Sequence, residues 1–226
     1  MGTSLTLVLL LPPRAKYGIY QGINILAVNL SQVRKRLLAN PWIAEAEVIR
    51  EIPSGLIIRI KEQVPIAVID IGQKFLINHR GEIFKECEPS DPTNLPTVSG
   101  LDVSDLQVYS PSNPTDHRFE PKPNTPFNAV MQVLRMGDEK GSILPNQIIK
   151  YIRVDRQIGL TLYAFDRIKA INLGYNDYAG KYQMLESLFS YLKRQRSISD
   201  FDRIDLNNLN RIVLNPITIE VTRKGS

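Results

Sequence analysis

Residues 37–65 read LLANPWIAEAEVIREIPSGLIIRIKEQVP, and the pattern of this stretch decides the fold of the first part of the chain. The run AEAEVIR alternates. Ala44, Ala46 and Val48 fall on one face, and Glu45, Glu47 and Ile49 on the other. The run LIIRIK alternates in the same way through Ile58 and Ile60. Such alternation predicts two half-buried strands. Between them, Pro53-Ser54-Gly55 supplies the fixed φ and the permissive glycine of a hairpin connection. Upstream, Pro41 ends a helix, because a proline disfavours helical geometry in the residue before it. Trp42 is expected as a core plug between helix and hairpin rather than as a surface anchor. Nothing here is catalytic; the pattern is that of a small interaction module.

Working outward, residues 4–10 read as a strand and 12–17 as a short helical turn. Asn29 is the expected N-cap of a helix whose Val33, Leu37 and Leu38 form an apolar stripe. Arg34-Lys35-Arg36 lies mostly off that stripe. A solvated helix face is the default reading of such a run, and a binding patch is the alternative. The second unit opens with three short strands, AVIDI, KFLIN and EIFKE, with a turn at Asn78–Gly81. A tract rich in Pro, Ser, Asn and Asp follows; it reads as a surface excursion with a small ordered start at LPTVSGLDVSDL and a long loop at about 101–127. Next come a helix over Asn128–Met136 and a meander, IIKYIRVD, GLTLYAF and RIKAINLG. An amphipathic helix over Lys181–Arg194 buries Met184, Leu185, Leu188, Phe189 and Leu192. The last strands are expected at 201–206 and 211–214, the second with a continuation at 217–221.

The 226 residues carry a formal charge of +5, with 43% hydrophobic and 23% charged residues, as in an ordinary folded protein. Before Ala67 there are 8 Lys+Arg against 4 Asp+Glu; from Ala67 onward there are 20 against 19. The excess therefore sits in the smaller N-terminal part. Anionic lipid, nucleic acid or an acidic protein would suit such a surface, and plain solubility explains it equally well. Nucleic acid is the weaker option, because no aromatics interleave with the basic runs. Lys193-Arg194-Gln195-Arg196 closes a helix, where cations complement the dipole.

Candidate chemistry is sparse. Cys87 is the single cysteine, so no intrachain disulfide can form, and only His79 and His117 could serve it as a base. Two His and one Cys without ligand spacing argue against zinc. Gly137, Gly141, Gly159 and Gly174 are too far apart to cradle a phosphate. Asp155, Asp166 and Asp205 fall at strand ends, where a turn role suffices. No catalytic, cofactor or metal residue is assigned. The apolar run Leu5–Leu11 stops at Pro12-Pro13, short of the ~20 residues of a spanning helix, and reads as a buried strand. The MGTS start and the GS end read as cloning remnants, and a hydrophobic anchor is expected outside this sequence.

The succession Gly22-Ile23-Asn24-Ile25-Leu26, Pro41-Trp42-Ile43, Ala46-Glu47-Val48-Ile49-Arg50, Pro53 and Glu62-Gln63-Val64-Pro65-Ile66-Ala67 resembles the POTRA domain of the bacterial cell-division proteins FtsQ/DivIB. The resemblance continues through FLINHRGEIF, LPTVSG, GLTL, INLG and RIDL, in the order of that family's C-terminal β domain. The segment before Gly18 is shorter than a POTRA strand and helix usually need, and the loop at 101–127 is longer than usual.

The resemblance implies an α+β chain. Residues 1–67 would form a POTRA domain, helices on a three-stranded mixed sheet. Residues 68–226 would form a larger, mostly antiparallel β domain with two helices. It further implies a non-enzymatic scaffold of the divisome, without cofactor, small-molecule substrate or nucleic acid. Such a scaffold is anchored in the inner membrane, with these domains on the periplasmic side at the septum. FtsB and FtsL would be recruited by edge-strand addition at Leu209, Arg211, Ile212, Val213 and Leu214, with pairing weakening past Leu214 because of Pro216. Arg156 matches a partner-contacting arginine of the family. Two other classes stay open: a POTRA-bearing module of outer-membrane assembly or two-partner secretion, and an unrecognised enzyme.

Overall fold

A computed structural model of the chain describes residues 5–7, 24, 26–53, 55–92, 94–106, 125–165, 169–195, 201–208 and 211–216. The expected turn at 12–17, His117, Asp166, Leu209 and the continuation at 217–221 lie outside them. The chain divides into two compact units, Met1–Val64 and Pro65–Ser226.

In the first unit, helix α1 spans Leu30–Leu38. Its N-cap is Asn29, whose side chain accepts the Gln32 N–H at 3.0 Å. Strands β1 (Leu5–Leu7), β2 (Ile43–Glu51) and β3 (Gly55–Glu62) form a sheet in the order β1-β3-β2. Both pairings are antiparallel, where a mixed sheet was expected, because β2 and β3 are joined by a tight hairpin and β1 runs against β3. The alternation sets the register. Ala46 faces Ile60 and Val48 faces Ile58 on the side covered by α1, whose Val33 and Leu37 complete a small core. On the opposite face Glu47 meets Arg59 at 3.0 Å and Glu45 meets Lys61 at 3.1 Å. These exposed pairs add little stability, but a one-residue slip would separate them. Trp42 is part-buried rather than a core plug; its N–H is taken by the Asn40 side chain and its carbonyl by Gln63.

The second unit is built on one nine-stranded sheet. Its strands are β4 (Pro65–Asp70), β5 (Lys74–Asn78), β6 (Ile83–Glu86), β7 (Thr97–Ser99), β8 (Ile149–Asp155), β9 (Gly159–Ala164), β10 (Lys169–Gly174), β11 (Phe201–Asp205) and β12 (Val213–Pro216). Their order is β12-β11-β10-β9-β8-β7-β4-β5-β6. β4 occupies the stretch in which the sequence pattern places the join between units. Most neighbours are antiparallel, but β4–β7, β7–β8 and β10–β11 are parallel. A parallel neighbour needs a crossover. Helix α2 (Pro126–Asp138) carries the chain from β7 to β8, and α3 (Tyr178–Gln195) carries it from β10 to β11. Both crossovers step the same way along the sheet, so their common hand places both helices on one face.

That face carries Ile152, Val154, Leu160, Leu162, Ile171 and Ile204, buried against Val130, Val133 and Leu134 of α2 and Tyr182 and Leu185 of α3. Helix α2 starts earlier than expected. Thr125 caps it through the Asn128 N–H at 3.2 Å, and Pro126 takes the first turn, where a missing N–H costs nothing. The loop expected to reach residue 127 therefore ends before Thr125. Its ordered start is a short 3-10 turn at Val103–Asp105 between the buried Leu101 and Leu106; residues 107–124 lie outside the described set.

Candidate strand-docking edge

Among the described residues, β12 is the last strand of the sheet and pairs with β11 alone. It covers Val213–Pro216, not 211–214. Arg211 and Ile212 precede it, and the Arg211 N–H closes a turn onto the Asn208 carbonyl at 3.3 Å. The polarity of the strand follows from the ladder beneath it. The Leu206 N–H donates to the Asn172 carbonyl on β10, and Asn172 is in register with Asp205. Even-numbered residues of β11 thus turn their backbone groups to β10, and Asp205 and Arg203 turn theirs to β12. Asp205 is opposite Val213 and Arg203 opposite Asn215. Val213 and Asn215 therefore bond inward, and the Leu214 N–H and carbonyl point out of the sheet.

On the β11 side, pairing runs past Leu214 through Asn215 to Pro216, with a register shift. The reason is parity. The donor that Pro216 lacks would have faced the free edge, which is where a sheet tolerates proline. Side chains follow the same alternation. Val213 is 41% exposed on the face away from the helices, while Ile212 and Leu214 pack against the core.

Arg156 is elsewhere. It lies in the β8–β9 turn, where the Asp155 side chain accepts the Gln157 and Ile158 N–H groups at 2.8 and 2.9 Å. The Ile158 bond is the main reason that the Asp155 carboxyl titrates below its usual range. The Arg156 guanidinium bonds Asp102 at 2.6 Å and Asp105 at 2.8 Å. Asp102 is open to solvent and Asp105 is buried, so the two arms differ in how easily an incoming carboxylate could replace them. Three strand spacings separate β9 from β12, about 14 Å. One added strand cannot touch both sites.

Close contacts link the β8–β9 turn to the carboxyl ends of β10 and β11. A Cβ on Gly159 would lie 2.2 Å from the Gly174 carbonyl carbon, and one on Gly174 would lie 2.1 Å from the Asn207 side chain. Only glycine allows turns to abut this closely. A groove of about 380 Å³ opens at this end, lined by Arg156, Tyr175, Tyr178, Thr125, Asn128 and Gln132.

Sequence reasoning missed Lys181, which is 2% exposed. Its ammonium donates to the Tyr175 and Asn176 carbonyls at 2.7 and 2.8 Å and holds a loop in which Asn176 and Asp177 have positive φ. Burial lowers its pKa and pushes that of the Tyr178 hydroxyl up to about 12. The Asn-Asp pair before the helix was the available signal, because these residues tolerate the left-handed region. Among the described residues no group of three or more His, Cys, Asp or Glu side chains gathers as a metal site, and no helix is long and apolar enough to cross a membrane.

Comparison with known proteins matches both units in order. Residues 14–63 match the FtsQ-type POTRA domain, and residues 67–207 match the C-terminal domain of cell division protein FtsQ/DivIB. Cell division protein FtsQ of Syntrophotalea carbinolica is 29% identical over 209 residues, which is 92% of this chain and 69% of the relative. FtsQ of Geotalea daltonii is 23% identical over 88% of this chain and 68% of its own length. Cell division protein DivIB of Clostridium tetani is 30% identical over a shorter stretch, 39% of this chain and 34% of the relative. With a POTRA unit followed by a β unit, and a family match over most of its length, the chain belongs to the FtsQ/DivIB family of cell-division proteins.

Proposed function

We propose that the chain is a non-enzymatic scaffold of the divisome, and that its second unit recruits FtsB, together with FtsL, by adding a partner strand to β12. The supporting observation is the contrast between sheet edges. An exposed edge invites pairing, and proteins blunt it with charges or covering loops. On β2 the Arg34 side chain bonds the Ala46 carbonyl. On β6 the part-buried Lys85 is tied to Asp91 at 2.6 Å and to Glu88 at 3.3 Å in the following loop. The described side chains of β12 are Val213, Leu214 and Asn215, none of them charged. Among the described residues, no side chain of β12 itself guards this edge.

Main-chain bonds to Leu214 would supply affinity, and side chains beside Val213 and Ile212 selectivity. Leu209 and Arg211 lead into this strand. A partner that also reached Arg156 would need a second element, such as a helix end, laid across the row of turns with a carboxylate at the guanidinium. Anchorage in the inner membrane, a periplasmic setting at the septum and a localising role for the POTRA unit belong to the same reading.

The test is hydrogen exchange on the whole chain with and without the extracytoplasmic segment of FtsB. Slowed exchange at Leu214, with Val213 and Asn215 already slow in the free chain, is the expected result. Binding without protection at Leu214 would refute strand addition.

A further inference from the structure

Lys181 carries a charge into the second unit, and its partners there are main-chain groups and an aromatic face. The ammonium donates to the Tyr175 and Asn176 carbonyls and stands 5.7 Å from the centre of the Tyr178 ring. A buried ammonium without acceptors would be costly, so these two carbonyls are what keep it in place. Both belong to the loop between β10 and α3, where Asn176 and Asp177 lie at φ +62° and +44°. Left-handed backbone costs an L residue roughly 1–2 kcal/mol, so this loop needs a tie from outside to hold its shape. The other side of the loop faces the groove beside Arg156, which Tyr175 and Asn176 help to line. The Tyr175 hydroxyl donates to the Asp155 carbonyl at 2.9 Å, one residue before Arg156. At the start of the loop, Gly174 abuts Gly159 of the β8–β9 turn and Asn207 beyond β11. The Asp205 side chain accepts the Asn207 N–H at 2.9 Å, and the turn that Arg211 closes on Asn208 then leads into β12. One loop thus touches the Arg156 turn and the approach to β12.

We propose, on the reading that Arg156 and β12 meet one partner, that Lys181 is a positioning residue: it holds the loop over Tyr175, Asn176 and Asp177 from behind and so fixes the Arg156 turn and the approach to β12 in one arrangement. At 2% exposure it touches no partner itself. It acts through Tyr175 and Gly174. The gain is preorganisation. Contacts about 14 Å apart on the sheet serve one partner well only if their spacing is held, and freedom left in the loop would have to be frozen on binding, at a cost in affinity. The residue type follows from the two acceptors. Carbonyls of consecutive residues call for two donors on one centre, and an ammonium offers three on a flexible stem. Methionine has the length and no donor.

The test is Lys181→Met in the whole chain, probed with the extracytoplasmic segment of FtsB. In the free variant, amide exchange should quicken at Gln157, Ile158, Asn207 and Arg211, whose N–H groups bond within the two turns, and stay slow at Ile152 and Leu162 in the middle of the sheet. Partner binding should fall about tenfold. The deciding readout is a double-mutant cycle, which a merely structural role would leave additive. In the native chain Arg156→Gln should weaken binding about tenfold; with Lys181→Met in place it should weaken it less than about twofold, because a carboxylate brought to a loosened turn gains little. If Lys181→Met melts below the assay temperature, Tyr175→Phe removes the hydroxyl bond to Asp155, keeps the ring, and must give the same loss of Arg156 dependence. Additive losses, or unchanged exchange at the four turn amides in a folded variant, overturn the inference and leave the reading of β12 standing. Native binding that is indifferent to Arg156→Gln, or that leaves Leu214 unprotected, overturns the reading of the partner contacts and the role of Lys181 with it.

Discussion

Proline placed at Val213 and, separately, at Leu214 tests the backbone polarity of β12. The two residues are adjacent, yet the ladder gives their N–H groups opposite fates. The Val213 N–H faces Asp205 on β11. Removing it deletes one net bond, about 0.5–1.5 kcal/mol, and leaves an Asp205 carbonyl short of a partner, about 1–3 kcal/mol. The expected cost of Val213→Pro is therefore about 1.5–4.5 kcal/mol, limited above by the point at which β12 frays on its own. The Leu214 N–H faces outward, away from β11. Leu214→Pro loses mainly the packing of a part-buried side chain, which Leu214→Ala loses as well. The proline and alanine variants at 214 should agree within about 1 kcal/mol in the free chain. Toward a strand-adding partner the order reverses. Leu214→Pro should weaken binding about tenfold relative to Leu214→Ala, the worth of one main-chain bond. Urea denaturation of the four variants, with Val213→Ala as the fourth, gives the first comparison, and titration calorimetry gives the second. If Leu214→Pro proves the more destabilising of the two prolines after subtraction of the alanine controls, the assigned polarity of β12 is wrong.

Two further outcomes are expected. Gly159→Ala should cost about 3 kcal/mol or more in denaturation, because its φ of +101° is joined by a Cβ contact of 2.2 Å with the Gly174 backbone; Gly72→Ala, at φ +97° with open space around it, should cost only about 1 kcal/mol, and equal costs would remove the case for close-packed turns. Acid should loosen the β6–β7 loop through Asp91, whose carboxyl is held below its usual range first by its bond from Lys85 and then by the Glu88 N–H. A folded pKa below the unfolded one means that the contribution is complete above about pH 4 and disappears as the pH falls through the lowered value. Asp91→Asn should therefore flatten the stability profile below about pH 4, and an unchanged slope there would show that the pair has no such role.

Much of the first unit was legible because its signals are local. The alternation of residues 44–50 and 56–61 needs only a pleated strand and one apolar face, and Asn29 announces a helix start through chemistry contained within four residues. The same logic located the strands of the second unit and the α3 face. It failed where a distant contact decides. Thr125 and Pro126 looked like the tail of a Pro-rich loop until they were seen as a cap and a first turn, and Trp42 looked like core because its size says nothing about which side of the hairpin it meets. The resemblance sets Arg156 and β12 against one partner, and only the sheet order shows that two strands, β10 and β11, lie between β9 and β12.

Periodicity by itself located most strands and helices of both units, since each signal is a run of neighbouring residues whose spacing is set by covalent geometry; that they make a POTRA unit followed by a mostly antiparallel β unit came from the resemblance of their motif order to a known family. Strand order, and with it the identity of the edges, was decided only in three dimensions. Nothing in RIVL distinguishes an end strand from a central one. That Leu214 points outward follows from a bond between Leu206 and Asn172, and the Ala46 carbonyl of β2 is taken by Arg34 from twelve residues away. Backbone donors acquire a direction only when a neighbouring strand claims every second one, and that neighbour is chosen by the packing of the whole sheet.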